Sequence, residues 1–417
     1  MQPDAQHSHA AAPASFRGRS PTLLNARRLL AMLKAEQVEA VVATSAENVT
    51  YTSGYWALSQ WIRRGPQIYV LLPAADLSAS VIIASTTLLD QIADQDDVWI
   101  EDVRRYGVFQ VDRADGSLGA LDSRQADLYG LADDGDAVSA LVAAIEAAGL
   151  ARSRIAVDEL GLLPGHWQKL AEKLPGAVLV PGFQLLRRVR AVKTPEEIAR
   201  LKRIAQITEA SIDAALEVAR ADATELDLAR AFHGCTVRQD GLPVIGCIGF
   251  GKRAAMPNVQ PSAARLRDGD VIRFDVGGRY KHYRADIARI AVLGEADRQT
   301  ENYTRALHIG VLRALEMMRP GVKAAHVFET AVEAVRREGI PHYQRSHVGH
   351  GIGLDGYDLP DLTPSSRDVL EEGMVLCVET PYYELGWTGL QVEDMVVMRA
   401  DGIETLMTTS GALRIIP

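Results

Sequence analysis

Cysteine is scarce in this chain: Cys235, Cys247 and Cys377 are the only three among 417 residues. They are too few and too scattered for a disulfide framework or a thiolate metal site, and all three are expected as buried thiols. Long hydrophobic runs are missing too, since no tract approaches the length of a membrane span. Nor is there an excess of positive charge. The formal net charge is −9, which argues against a nucleic-acid surface, because that would need Lys and Arg clustered on one face. The basic runs Arg187-Arg188-Val189-Arg190 and Arg336-Arg337 are short and read as solvated surface or interdomain pairing. No glycine-rich phosphate loop joins a strand to a helix in the first half, so nothing there points to a nucleotide. Residues 1–20 lack both the basic leader and the apolar core of a signal peptide, and are expected as the disordered tail of a cytoplasmic protein.

What is present is the composition of an ordinary globular protein, 47% hydrophobic and 24% charged, at a length that predicts two domains. In the first half, Leu23, Leu29, Leu30 and Leu33 form one stripe of a helix over 22–37, followed by a strand at Val41–Ala43. Further strands are predicted at 68–72, 81–83, 98–100, 155–157 and 178–180, with a helix over 136–148, which together make an α/β layer. Pro181-Gly182 marks a break. Thr194-Pro195-Glu196-Glu197 then has the signature of a helix start, with threonine as N-cap, proline at the first position and acids in the first turn. Helices are predicted over 195–218, 223–239, 298–317 and 324–338, with strand pairs between them.

Five residues carry the chemistry. Asp275 ends the β-branched run Val271-Ile-Arg-Phe before two glycines, and Asp286 follows 286 − 275 = 11 residues later, so a hairpin lets both carboxylates face one side. His350 lies in Val348-Gly-His-Gly-Ile-Gly353, where glycines let the backbone come close to a charged centre. Glu379 and Glu393 each interrupt what otherwise reads as a buried strand, and buried carboxylates need partners. Any one of these acids alone fits a strand-end or turn role. As a set they form an oxygen-rich, one-histidine ligand group suited to two adjacent divalent metals, which would neutralise carboxylates that otherwise repel and shift their pKa values upward. Such a pair ionises a bridging water near neutral pH.

The order and spacing of the five, with steps of 11, 64, 29 and 14 residues, resemble the M24 metallopeptidase family of methionine aminopeptidase, aminopeptidase P, prolidase and creatinase, and its Xaa-Pro dipeptidase branch in particular. The resemblance extends upstream to Ala40–Tyr55, similar to the opening strand and turn of a creatinase-type N-terminal domain, and to Arg190–Ile198, similar to the segment leading into the catalytic half. It implies an α/β two-domain protein, with a creatinase-like N-terminal domain over 21–182 and a pita-bread catalytic domain of pseudo-twofold α+β design over 190–417. It further implies two divalent metal ions (Mn, Co, Fe or Zn, with Mn favoured) held by Asp275, Asp286, His350, Glu379 and Glu393. In that scheme Asp286 and Glu393 bridge, Asp275 and His350 each serve one metal, and Glu379 shuttles the proton. Relatives with this layout are commonly dimers, and Trp56 and Trp61 read equally as part of such an interface or as packing within their own domain.

The surrounding residues depart from the family. A histidine usually stands 17 residues before the first Asp, where this chain has Asn258, and a second usually follows the ligand histidine by seven, where it has Tyr357. The Gly-x-Arg-x-Glu-Asp pattern appears as Gly389-Leu-Gln-Val-Glu-Asp394, so a cationic fork gives way to neutral Gln391. His347, three residues before His350, reads equally as structural or as part of this substrate shell; His282 reads as an exposed turn residue, and Tyr382 as packing. The expected activity is hydrolysis of a peptide-type C–N bond of the Xaa-Pro kind. The alternatives are a creatinase-like small-molecule C–N hydrolase or lyase and, less favoured, a non-catalytic binding module.

Overall fold

The computed structural model describes residues 20–61 and 65–417, so the expected tail lies outside the described residues apart from Ser20. The chain divides into two units, one up to Phe183 and one from Gln184 onward.

The first unit holds strands β1 (Ala40–Ala43), β2 (Tyr69–Pro73), β3 (Val81–Ser85), β4 (Asp102–Tyr106), β5 (Arg154–Val157) and β6 (Val178–Pro181). They form a six-stranded sheet in the order β4-β3-β2-β1-β5-β6. The β1–β2 and β2–β3 pairs are antiparallel and the other neighbours parallel. Strands β1 and β2 are buried at every position, which is why they read as continuous apolar runs without alternation. The helix Ala137–Ala147 packs Ala140, Leu141 and Ala144 among Val42, Leu71 and Ile155. Asp136 caps it by accepting from the backbone N–H groups of Val138 and Ser139.

Three expectations need correction here. The first helix covers only Ala26–Ala35, because the Asn25 side chain caps it by accepting from Arg28 N–H at 3.2 Å. The stretch after β1, read as a turn, contains the helix Ala46–Ser53, closed by Gly54 at φ 74°. No strand forms at Val98–Ile100. All three side chains there are buried, and the Trp99 indole N–H donates to the Thr52 carbonyl at 2.9 Å, which ties the segment to that helix. The edge strand forms further on, as β4, where the side chains are charged and partly exposed.

In the second unit two helical pairs, Pro195–Glu217 with Glu225–Arg238 and Arg298–Met317 with Ala324–Arg337, alternate with strands. Thr194 and Glu197 form the expected capping box, and Thr224 with Asp227 forms another. The strands are β7 (Leu242–Phe250), β8 (Val271–Tyr280), β9 (Tyr283–Arg284), β10 (Ile287–Leu293), β11 (Gly349–Gly351), β12 (Asp358–Asp361), β13 (Val375–Glu379), β14 (Tyr382–Tyr383), β15 (Gly389–Leu390), β16 (Glu393–Arg399), β17 (Gly402–Thr405) and β18 (Arg414–Ile416). Their main sheet runs β12-β11-β13-β16-β10-β8-β7, so each helical pair is followed by strands of one half of that sheet. Leu376, Val378 and Val396 pack in a core with Leu307, Val311 and Ala331 of the second helical pair. By strand alternation Cys377, Glu379 and Glu393 face the other way.

Two basic segments read as surface are more varied than that. Arg190 is only 1% exposed and pairs with Asp358 at 2.8 Å inside the second unit, whereas Arg337 pairs with Glu333 at the surface. Of the three thiols, Cys247 and Cys377 are buried, but Cys235 is half-buried, its helix turning that side partly outward.

Asp286 sits in a break between β9 and β10, opposite glycines of β8. A Cβ added at Gly277 would lie 1.8 Å from the Ala285 carbonyl oxygen. Gly277→Ala is therefore expected to force that break apart and destabilise the protein by roughly 1–3 kcal/mol. Denaturant unfolding tests this, and a wild-type midpoint would show that the close approach is not required.

Candidate metal centre

The five residues singled out by spacing come from neighbouring strands of the main sheet. His350 lies on β11, Glu379 ends β13, Glu393 opens β16, Asp286 immediately precedes β10, and Asp275 lies on β8. Register aligns them: Glu379 pairs directly with Glu393, Glu393 with Ala288, and Ala288 with Asp275. Directly paired residues share a face, so a row across the sheet gathers the acids on one side. Around them is a cavity of about 240 Å³, lined also by Asn258, His347, Tyr357 and Gln391, together with Pro257, Arg345 and Tyr383. All nine site residues named from sequence thus border one cavity. His282, in contrast, occupies the turn before β9 at φ 76° and is not part of the lining.

Ligand atoms of Asp275, Asp286 and Glu393 lie within 4.8 Å of one another, and so do those of His350, Cys377 and Glu393. The second group places a buried thiol beside the ligand set. Cys377 lies two residues before Glu379 and directly opposite His350, a proximity set by strand pairing and invisible in cysteine spacing.

Burial and mutual repulsion dominate the electrostatics. Burial first, then the charges of Asp275 and Glu379, pushes the Asp286 carboxyl well above the ordinary range. Burial with Asp286, Glu379 and Asp275 does the same to Glu393. Asp275 is pushed up to about 6 by burial despite the nearby Arg273 guanidinium. Glu379 is the exception. Burial raises it, but the hydrogen bond and charge of His347, whose Nε2 lies 2.9 Å from Oε1, together with the charges of His350 and Arg345, outweigh that and hold it below its usual value. The His350 imidazole is lowered mainly by burial. Its Nδ1 lies 3.0 Å from the Gly351 carbonyl oxygen, which leaves Nε2 for the cavity, 4.0 Å from Glu393 Oε1.

Gln391 is the hub of the polar shell. Its amide N–H groups donate to Glu379 Oε2 at 3.2 Å and Glu393 Oε2 at 3.5 Å. Its carbonyl oxygen accepts from Arg273 Nη1 at 2.8 Å and from the Tyr383 hydroxyl at 2.9 Å. Tyr357, 58% exposed, lays its ring against His350 with centroids 4.1 Å apart. Tyr382 turns away and packs edge-on to Tyr303. Sequence reasoning missed Arg273, Arg345 and Cys377. Arg273 had a usable signal, since two residues before Asp275 on one strand is the same face.

Comparison with known proteins agrees with this layout. Residues 199–400 match the profile of Metallopeptidase family M24, and residues 26–192 that of the Creatinase/Prolidase N-terminal domain. An uncharacterized peptidase of Staphylococcus aureus is 25% identical over 53% of this chain, and the match spans 64% of that relative's length, less than two thirds. A Xaa-Pro dipeptidase of Lactobacillus helveticus is 28% identical over 63% of this chain and 72% of its own. Dipeptidase PepE from Mycobacterium ulcerans superposes with a TM-score of 0.75 at 23% identity, covering 96% of this chain and all of that one, which establishes a shared fold.

The raised carboxyls have a consequence for stability. A carboxyl whose folded pKa exceeds its unfolded value binds more protons when folded, so its effect on stability worsens as pH rises through that interval. For Asp275 the interval runs from the ordinary 3.8 to about 6. In metal-stripped protein these acids should lower Tm progressively over that range, and a divalent ion should remove the loss. The gap between loaded and stripped Tm is therefore expected to widen from pH 4 to pH 6 and above. A gap independent of pH would show that the cavity acids are not what the ion stabilises.

Proposed function

We propose that this chain, which belongs to metallopeptidase family M24 and joins a Creatinase/Prolidase N-terminal domain to a pita-bread catalytic domain, is a divalent-metal-dependent hydrolase of small Xaa-Pro peptides. The observation that carries this reading is the convergence of Asp275, Asp286, His350, Glu379 and Glu393 on one cavity. The Lactobacillus helveticus relative, named a Xaa-Pro dipeptidase, supports the substrate class.

The donor set fits a pair of divalent ions. Asp286 Oδ1 is buried with no hydrogen-bond partner among the described residues, a costly arrangement unless a cation meets it. Asp275, Asp286, His350, Glu379 and Glu393 would hold the ions. Carboxylates with a single imidazole suit Mn above the alternatives Co, Fe and Zn. When bound, such ions supply Lewis acidity toward a carbonyl and acidify a water. The protein's own residues do the rest. Glu379, oriented by His347 on one oxygen and Gln391 on the other, stays in its basic form near neutral pH. It takes the proton of the attacking water and returns it to the leaving amine. The Tyr357 ring covers one side of His350 and limits solvent access there.

Asn258 and Tyr357 border the cavity in place of two family histidines, and this favours a second reading, a creatinase-like small-molecule C–N hydrolase or lyase with a rebuilt substrate shell. Three free thiols support the cytoplasm as compartment, and no helix among the described residues is long and apolar enough to cross a membrane. We also infer a homodimer. Val108 and Phe109, 89% and 53% exposed, are apolar groups of the kind that interfaces cover. Trp56 is half-buried and bonded through its backbone to Gln95, and the Trp61 side chain lies outside what the structure describes.

Asp286→Asn is expected to lower bound metal and cut turnover by more than about 10²-fold with the circular dichroism spectrum unchanged. Metal analysis followed by a hydrolysis screen tests the reading, using Xaa-Pro dipeptides beside cyclic and guanidino compounds. Full activity in stripped protein refutes metal dependence, and turnover confined to the second class of compounds selects the second reading. For assembly, sedimentation should give twice the chain mass at micromolar concentration, and a concentration-independent monomer would refute the dimer.

A further inference from the structure

The charge of this chain is not spread evenly. Residues 90–136, all in the first unit, hold thirteen acids against four arginines and no lysine, a formal charge of 4 − 13 = −9, which equals that of the whole chain. The rest of the protein is therefore balanced, and the excess lies around one feature of the fold. A cleft of about 600 Å³ opens there between β4 and the helix Ala120–Tyr129. Its floor is apolar, formed by Ile92, Val98, Trp99, Ile100, Leu128 and Leu131. The helix that walls it buries none of its own residues, so this face of the unit is only partly covered. The charged lining is Glu101, Asp102 and Asp127 against Arg104 and Arg124, and Arg104 is already held by Asp134 at 3.1 Å.

Strand β4 is also the edge of its sheet. Toward its end that edge is covered: Asp133 bridges Arg105 in parallel, and the Asp134 N–H donates to the Arg105 carbonyl at 3.0 Å. Alternate residues of a strand turn their backbone groups to opposite edges, so Val103 presents its N–H and C=O on the same side as Arg105. Among the described residues no segment pairs with Val103 there, and Val103 is half-buried in the lining of the cleft. An unpaired edge beside an apolar floor is a template for one more strand. Charged side chains commonly guard such an edge. Here the guard has one sign over a whole region, so it repels acidic chains and attracts cationic ones.

We propose that the β4 edge and the cleft beside it are a docking site for an extended cationic segment of a partner protein, in which apolar residues alternate with Lys or Arg. The segment adds to β4 beside Val103. One set of its side chains enters the apolar cleft, and the other faces the acids of residues 90–136. This site lies wholly in the first unit and does not depend on the reading of the metal centre.

Titration calorimetry on the full chain tests this with an acetylated, amidated Lys-Val repeat of eight residues as probe, beside Glu-Val and Lys-Pro repeats of the same length. The Lys-Val probe is expected to bind with a Kd on the order of 10⁻⁵ M, about tenfold or more tighter than the Glu-Val repeat, and to weaken as salt is raised. The Lys-Pro repeat keeps the charge but does not pair as a strand, and should bind at least about fivefold more weakly. Hydrogen exchange should slow at Val103 and its neighbours in β4 when the Lys-Val probe is bound, and stripping metal with a chelator should alter neither result. Val103→Pro removes the outward N–H at a position where an edge strand tolerates proline, and Asp127→Lys reverses an exposed charge of the lining. Each should weaken the probe by about fivefold or more. Asp127→Lys decides alone if Val103→Pro does not fold. Equal affinity for the Lys-Val and Lys-Pro repeats would mean attraction without a strand site, and equal affinity for the Lys-Val and Glu-Val repeats would mean no selection by charge; either overturns the proposal. Absence of binding overturns it too, as does protection confined to residues of the metal cavity. If no probe binds wild type and Val103→Pro lowers its mass in sedimentation, a second copy covers the edge, and the proposal is again overturned.

Discussion

Repulsion among four buried carboxylates is the constraint around which the catalytic unit is arranged. At short range in a medium of low effective dielectric, each neighbouring pair costs several kcal/mol unless something answers it. The structure answers part of it. His347 meets Glu379, Arg273 meets Asp275, and the Gln391 amide donates to both glutamates. Asp286 and Glu393 receive the least, and they are the two carboxyls driven furthest upward. Glu379 is as deeply buried as they are and shifts the other way, so burial alone does not set the pattern; the partner does. The unanswered charge belongs to Asp286 and Glu393, at the centre of the row.

The same constraint explains Arg273 and Gln391 together. A guanidinium rising from position 391 would meet the one already entering from β8, and two such cations side by side are as unfavourable as two carboxylates. With Arg273 in place, a neutral amide at 391 is the residue that can accept from Arg273 and Tyr383 and still donate to the acids. The neutral residue noted in the sequence at 391 thus meets a guanidinium that enters from β8. Arg273 also holds the Met256 and Pro257 carbonyls, so the segment carrying Asn258 is tied to the strand carrying Asp275.

The four acids and the imidazole were legible in the sequence because each breaks an apolar or glycine-rich run, and a charged residue inside a buried strand has few structural reasons to be there. The four long helices were legible from capping and periodicity, which are local. What escaped was non-local. Cys377 joins His350 because β11 pairs with β13, and Arg345 borders the cavity from a loop without regular structure. The failed strand at Val98–Ile100 has the same origin: three apolar residues in a row satisfy the pattern of a buried strand, but the Trp99 backbone N–H donates to the Ser53 carbonyl at 3.3 Å and its indole N–H to the Thr52 carbonyl, both at the end of a helix and not in a sheet. The chain reads its local periods in its own sequence and its pairings only in space.

A second buried charge cluster shows how the far side of the site is held. Arg190 pairs with Asp358 at 2.8 Å, and Lys193 approaches the same carboxylate at 3.6 Å, all three nearly inaccessible. Burial disfavours the Asp358 charge, but Arg190 and Lys193 outweigh it and hold its carboxyl below the ordinary range. Asp358 begins β12, beside Tyr357, whose carbonyl accepts from Arg187 at 2.8 Å. One turn further along the same stretch, Glu197, pushed up to about 8 by burial, accepts from the Tyr283 hydroxyl at 3.1 Å. The segment from Arg187 to Glu197 therefore grips both strands that lead into the site, β12 beyond His350 and β9 before Asp286. Breaking one partner of a buried pair leaves an uncompensated charge and costs more than the pair itself contributed. A cluster of this kind is accordingly poor at adding stability and good at fixing position, and position is what a ligand set drawn from separate strands requires.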